Sequence, residues 1–104
     1  MRGDVYRLPP RQDARGHEQR GGRFGVVVQS DLLPLSTLLI APTSTRALAT
    51  GFRPEVEIQG ERTKVMVEQT VAIDPQRLAR HVGRLTNEEL RDVDAALRVV
   101  FGLI

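Results

Sequence analysis

Apart from a long loop read over Pro9 to Gly22, short extended stretches, each closed within a few residues by Pro, Gly or Asp, recur in this chain from Val5 to Leu85, and a single longer helical stretch follows them. Such spacing suits a small barrel of about six strands and not a βαβ fold, whose strands alternate with long helical segments. Val5 to Leu8 reads as the first strand, stopped by Pro9-Pro10, which remove backbone donors. Arg23 to Gln29 contains Val26, Val27 and Val28 in succession, the mark of a strand covered on both faces, and Asp31 to Pro34 supplies the break after it. Leu35 to Ala41 is a further apolar stretch; Pro42 is expected to end its pairing, so that the Thr43-Ser44-Thr45 hydroxyls sit at a strand end. Phe52 to Ile58 alternates apolar with charged residues, with Pro54 implying an edge strand and Gln59-Gly60-Glu61 a turn. Arg62 to Val67, Val71 to Ile73 and a short strand around His81 to Leu85 complete the set.

Two helical segments are expected. Asp74-Pro75 can open a short turn through Gln76 to Ala79, with Asp as N-cap and Pro at the first helical position. Thr86-Asn87-Glu88-Glu89 is a capping box, and the helix it starts places Leu90, Val93, Leu97, Val100 and Phe101 on one face. That stripe reads as packing on the barrel, with Glu88, Arg91, Asp92 and Arg98 facing out.

At 104 residues the chain is expected to form one domain, residues 1–104, without an internal boundary. No apolar run approaches the roughly 20 residues that span a membrane. The start Met1 to Tyr6 lacks the apolar core of a secretory signal, and cysteine is absent, so a cytoplasmic protein without disulfides or thiolate metal sites is expected. His17 and His81 lie far apart, and neither has the spacing of a helical zinc pair; no metal or cofactor is expected. The net charge is +2, but eight Arg face four Asp/Glu in residues 1–53, whereas seven basic residues face nine acidic ones in residues 54–104. Lys64 is the only lysine. Guanidinium suits bidentate contact with phosphate, although a GC-rich genome would also enrich Arg, so the asymmetry is what points to a polyanionic partner.

The segment Gly16 to Ser30 concentrates the reactive possibilities: a glycine-rich loop carrying His17, Glu18, Gln19 and Arg20 runs into Arg23 and the valine strand. A ribonuclease that works without metal must take a proton from the 2'-hydroxyl, stabilise a phosphorane and protonate the departing 5'-oxygen. Glu18 is a carboxylate, Arg23 a guanidinium at the base of a central strand, and Ser44 and Thr45 are hydroxyls at a neighbouring strand end. If the two strands pair, these groups converge. Each also has a plain structural reading: Arg23 as an edge arginine, Glu18 as a solvated loop charge, Ser44 as a turn-capping hydroxyl. Arg11, Arg15, Arg20 and Arg46 are candidates for phosphate contact.

Several motifs resemble the MazF/PemK-like toxin family along nearly the whole chain. Arg2-Gly3-Asp4-Val5-Tyr6 is similar to the family's first strand, and Gly16-His17-Glu18-Gln19 to its Gly-Ser-Glu-Gln loop. Arg23 with Val26-Val27-Val28 resembles its Arg-Pro and valine-rich strand, and Ala41-Pro42-Thr43-Ser44-Thr45 its Ala-Pro-hydrophobic-Thr-Ser strand end. Glu68-Gln69 with Ile73-Asp74 resembles its Asp-Gln and hydrophobic-Asp pair, and Gly83-Arg84-Leu85-Thr86 with Val93 to Leu97 its ending. The chain departs from the pattern in three places: Phe24 follows Arg23 in place of Pro, Val71-Ala72 stand where many members have Arg-Thr, and Ser44 replaces Thr. Phe24 could stack on a base or pack inside.

The resemblance implies a mainly β, SH3-like small barrel with a C-terminal helix and one short additional helix. It implies the toxin component of a toxin-antitoxin system: a homodimeric mRNA interferase, a sequence-specific, metal-independent endoribonuclease that cleaves single-stranded RNA to a 2',3'-cyclic phosphate and a 5'-hydroxyl. By the same likeness Arg23, Ser44, Thr45 and Glu18 are the catalytic residues, and His17, Gln19, Arg20, Arg46 and Gln69 are the candidates for RNA contact. A cognate antitoxin protein with an acidic tail is the implied partner. The alternatives are a non-catalytic toxin of the same fold binding a protein target such as DNA gyrase, and an RNA-binding module without activity.

Overall fold

The computed structural model of the chain describes residues 1–9 and 23–103. Among these residues seven strands form one antiparallel, strongly curled sheet: β1 (Asp4–Leu8), β2 (Arg23–Val27), β3 (Leu38–Ser44), β4 (Glu55–Ile58), β5 (Glu61–Val65), β6 (Val71–Ile73) and β7 (His81–Arg84). The order across the sheet is β4-β5-β3-β2-β1-β7, with β6 also on β3. A helix, α1 (Asn87–Phe101), closes the chain, and single 3-10 turns occupy Val67–Gln69 and Pro75–Arg77. The mainly β, curled architecture with a terminal helix and a short helical turn at Pro75 is as expected; the turn at Val67–Gln69 is additional, in place of the end of an expected strand. Among the described residues no helix is long and apolar enough to cross a membrane.

Curling comes from β3, which changes neighbours along its length. One edge pairs with β2 (Val27↔Ile40, Gly25↔Pro42). The other pairs first with β6 (Leu38↔Ile73, Ile40↔Val71) and then with β5 (Thr43↔Val65, Ser44↔Lys64). Pro42 does not end the strand, contrary to the expectation from sequence. Its carbonyl accepts from Met66 N at 2.8 Å, and since N and O of one strand residue point to the same side, its missing N–H falls at the junction between β6 and β5, where no ladder donor is needed.

Other boundaries shift for similar tertiary reasons. β4 begins only at Glu55, because Pro54 lies just before it, and β4 is an edge strand as Pro54 suggested. The stretch read as a strand through Val67 ends at Val65, and Val67 anchors a turn beneath α1 with 1% of its surface exposed. Gln29 leaves β2 and pins the β2–β3 connection, accepting from Leu39 N and donating to the Leu33 carbonyl. Val26, Val27 and Val28 are all buried, as a strand covered on both faces requires.

Two apolar clusters fill the two sides of the sheet. Val5, Val26, Val56, Val65 and Val67 pack with Leu85, Val93 and Ala96 beneath the helix, and Leu8, Val27 and Ile40 pack with Tyr6, Leu38, Ile73 and Leu78 on the other side. The helix start has the expected capping box: Glu89 N donates to Thr86 Oγ1, and Thr86 N donates to Glu89 Oε1. The second oxygen of Glu89 accepts from Glu57 N at 2.9 Å, tying the helix end to β4. Phe101 differs from expectation, standing 63% exposed on the last turn. Helical periodicity gives its direction but not the extent of the surface beneath it.

The Arg2-Gly3-Asp4 opening acts as a structural clasp. Arg2 Nε donates to the Val28 carbonyl at 2.9 Å while its Nη2 meets Asp94 of α1 at 2.6 Å. Gly3 takes φ +90°, a left-handed conformation that brings it under Leu90. Asp4 accepts from Arg84 Nη1 at 2.8 Å, joining β1 to β7.

Candidate active site

Arg23 begins β2, and the two-residue period of the strand puts it on the same face as Gly25 and Val27. On that face lies an open cleft of about 310 Å³ whose polar lining is Arg23 and Gln69. Leu8, Ile40, Pro42, Val71 and Ile73 supply the apolar walls. Gly25 sets the floor: a β-carbon there would lie 2.5 Å from Ile40 Cγ2 and 3.0 Å from Leu8 Cδ1, so only glycine lets these side chains close over the backbone beside Arg23. The guanidinium is thus rooted in a rigid strand, with its Nε out of contact with solvent.

Ser44 ends β3. Extending the Gly25↔Pro42 register by two places sets Arg23 opposite Ser44. The intervening pair obeys this extension, because Thr43 Oγ1 donates to the Phe24 carbonyl at 3.3 Å. By alternation Ser44 shares the strand face of Ile40 and Pro42, both of which line the cleft. Its Oγ accepts from Arg46 N at 3.2 Å, which is the turn-capping role, and leaves its hydroxyl hydrogen available to donate elsewhere. Thr45 and Arg46 follow immediately, exposed, at the start of the β3–β4 connection.

Gln69 comes to the cleft from the other flank of β3, on the turn whose backbone is closed by Gln69 N donating to the Met66 carbonyl at 3.0 Å. The structure therefore brings Arg23 and Gln69 together, places Ser44 at the adjacent strand end, and sets Thr45 and Arg46 just beyond it. Glu18, His17, Gln19 and Arg20 lie outside the described residues. Phe24 packs inside, and the Arg7 guanidinium stands 5.0 Å from its ring centroid. Val71, where the resemblance would place an arginine, is on the cleft wall and half exposed. Among the described residues no group of three His, Asp or Glu side chains is placed to hold a metal ion.

Sequence reading missed one pair near this site. Arg53, read as a polar position of an alternating strand, donates from Nε and Nη2 to Glu68 Oε2 at 2.9 and 2.7 Å, next to Gln69. No local pattern links two residues so far apart in the chain.

A family model for PemK-like, MazF-like toxins of type II toxin-antitoxin systems matches residues 1–101. The chain belongs to this family. A candidate toxin of Mycobacterium tuberculosis, Rv3098A, is 37% identical over 110 aligned positions, spanning 99% of this chain and 98% of that protein. The MazF-like fold extends to solved structures of low sequence identity. An endoribonuclease in complex with its cognate antitoxin, from a mycobacterial species, superposes with a TM-score of 0.80 at 16% identity, covering 100% of this chain and 96% of that one. The M. tuberculosis toxin MazF-mt6 gives a TM-score of 0.77 at 15% identity, with 97% and 98% covered. MazF from Deinococcus radiodurans gives 0.76 at 21%, with 97% and 94% covered. At such identities the likeness is one of fold, and the half-barrel with its terminal helix is the MazF, SH3-like architecture.

Proposed function

We infer that this MazF-family toxin is an endoribonuclease that cuts single-stranded RNA in the cleft around Arg23. The observation that carries the reading is the position of Arg23: a guanidinium fixed at a strand start, facing a cleft with an amide donor at Gln69 and a hydroxyl at the neighbouring strand end. The 2'-oxygen of the substrate attacks its own phosphorus, the P–O5' bond breaks, and the products are a 2',3'-cyclic phosphate and a 5'-hydroxyl. Arg23 stabilises the charge that develops on the non-bridging oxygens, and does so efficiently because it is preorganised and partly shielded from water. The Ser44 hydroxyl donates to the same phosphate or orients it. Glu18 takes the proton of the 2'-hydroxyl and returns one to the departing 5'-oxygen; Thr45 assists Ser44 at the phosphate, and Arg46 and Gln69, with His17, Gln19 and Arg20, contact the RNA. The nucleophile is internal to the substrate, so this chemistry requires no metal.

The proposed protein partner is an antitoxin that covers the same cleft; toxins of similar fold have been solved in complex with antitoxin. A homodimer acting in the cytoplasm completes the proposal. Purified protein incubated with a long single-stranded RNA in excess EDTA is expected to release fragments with cyclic phosphate ends. RNA left intact, or bound without being cut, would overturn the assignment and favour a binding module.

A further inference from the structure

Arg53 holds two separate pieces of backbone beside the cleft. Its Nε and Nη2 reach Glu68 Oε2 on the Val67–Gln69 turn, and its Nη1 donates to the Leu48 carbonyl at 3.2 Å within the β3–β4 connection. The guanidinium also lies 5.5 Å from the Phe52 ring centroid, which limits where it can go. One planar group therefore spans the connection that starts at Ser44-Thr45-Arg46 and the turn that delivers Gln69.

The energetics indicate that stability is not the main use of this pair. Both side chains are largely shielded, at 21% and 25% exposure, yet both nitrogens converge on one carboxylate oxygen. Among the described residues the other oxygen, Glu68 Oε1, is buried with no hydrogen-bond partner. An ion pair taken out of water with its lone pairs only partly satisfied recovers little of its desolvation cost, whereas it still fixes direction strongly. Without it, the turn is held at its inner end by Val67, in the core, and by Met66 N on the Pro42 carbonyl. At the outer end Gln69 N closes onto Met66, Thr70 N and Oγ1 donate to the Val67 carbonyl at 3.3 and 2.8 Å, and Val71 enters β6; these contacts hold backbone and leave the direction of the Gln69 side chain to its neighbour Glu68.

We propose that the Arg53–Glu68 pair is a positioning device, clamping the β3–β4 connection to the Val67–Gln69 turn so that Gln69 is presented to the cleft opposite Arg23. Neither Arg53 nor Glu68 touches the RNA; both act through Gln69 and the segment after Ser44. The proposal rests on the cleft being the RNA-cutting site.

The test is a double-mutant cycle with a second measurement that needs no activity. Arg53→Met, which keeps the side-chain stem, is expected to lower kcat/KM by about tenfold, chiefly through KM. In a Gln69→Ala background the same substitution is expected to cost about threefold, clearly less than in wild type, because one of the two segments it acts through no longer contributes and only the connection after Ser44 remains. Amide hydrogen exchange of the folded variant is expected to speed up by about tenfold at Gln69 and Thr70 and at Arg46 to Leu48, while β1 and β2 keep their protection. Undiminished kcat/KM in Arg53→Met, equal losses in both backgrounds, or unchanged exchange at those segments overturns the proposal. Wild-type protein that cuts no RNA overturns the reading of the cleft instead, and the exchange data still decide whether the clamp exists. Should Arg53→Met not fold, Glu68→Gln, which preserves shape and removes the charge, is read by the same two measurements.

Discussion

Gly25 of β2 and Ile40 of β3 approach so closely that a β-carbon on Gly25 would stand 2.5 Å from Ile40 Cγ2. Both belong to buried strands of the curled sheet, and the contact is against a branched core side chain without room to retreat. Gly25→Ala is expected to destabilise the fold by about 1–3 kcal/mol and to lower the unfolding midpoint by several degrees. Thermal unfolding followed by circular dichroism checks this. An unchanged midpoint would mean that Leu8 and Ile40 can open without cost, and that the cleft floor is not fixed by the glycine.

Three backbone donors are satisfied at one helix end: Thr86 Oγ1 accepts from Glu89 N, and the two oxygens of Glu89 accept from Thr86 N and Glu57 N. Glu89→Ala is expected to cost about 1–2 kcal/mol, more than a cap alone, since the Glu57 amide on β4 loses its acceptor too. Urea unfolding at neutral pH measures it. Thr86→Ala should cost about 1 kcal/mol, so equal losses in the two variants would count against the bridge to β4.

Acid should weaken the fold through Asp4. Burial raises the pKa of its carboxyl, but hydrogen bonds and charge from the Met1 α-amino group and from Arg84 outweigh burial, and the net result is a pKa below the ordinary 3.8. A depressed folded-state pKa means that the unfolded chain takes up the proton first on acidification. The stabilisation is therefore complete above about pH 4, and declines as pH falls through the folded-state value. Urea midpoints between pH 7 and pH 3 should fall less steeply in Asp4→Asn than in wild type. Glu55 is a control: Arg62, by hydrogen bond and charge, also lowers its pKa, but that pair is exposed and contributes little, so Glu55→Gln should leave the pH profile nearly unchanged.

Val71→Arg restores a guanidinium at a cleft position that is half exposed, so it can be accommodated without disturbing the core. RNA cleavage is expected to rise, and RNA affinity to become more salt-sensitive by about 0.7 in the log-log slope for one additional phosphate contact. No change in either quantity would mean that another arginine already fills the role.

Much of the fold was legible because its signals are local. Thr86 and Glu89 form a cap within four residues, Gln59-Gly60 turns between paired Ile58 and Glu61 with positive φ at both positions, and Val26 to Val28 announce a strand with two covered faces. What was not legible depends on partners distant in sequence. Pro42 continues β3 because two other strands exchange places beside it, and Val67 leaves the strand pattern because α1 packs over it. Asp4 and Arg84 meet across 80 residues. The same holds at the cleft: Arg23 and Ser44 could be nominated from their strand ends and Gln69 from the family resemblance, whereas Arg53 and Glu68 have no sequence signature.

The most direct measurement is the rate of RNA cleavage, in EDTA, by folded Arg23→Ala compared with wild type. Loss of a preorganised guanidinium from the transition state is expected to lower the rate by roughly 100-fold or more, with the unfolding midpoint little changed. Cleavage at the wild-type rate by the folded variant would remove Arg23 from the chemistry and contradict the account.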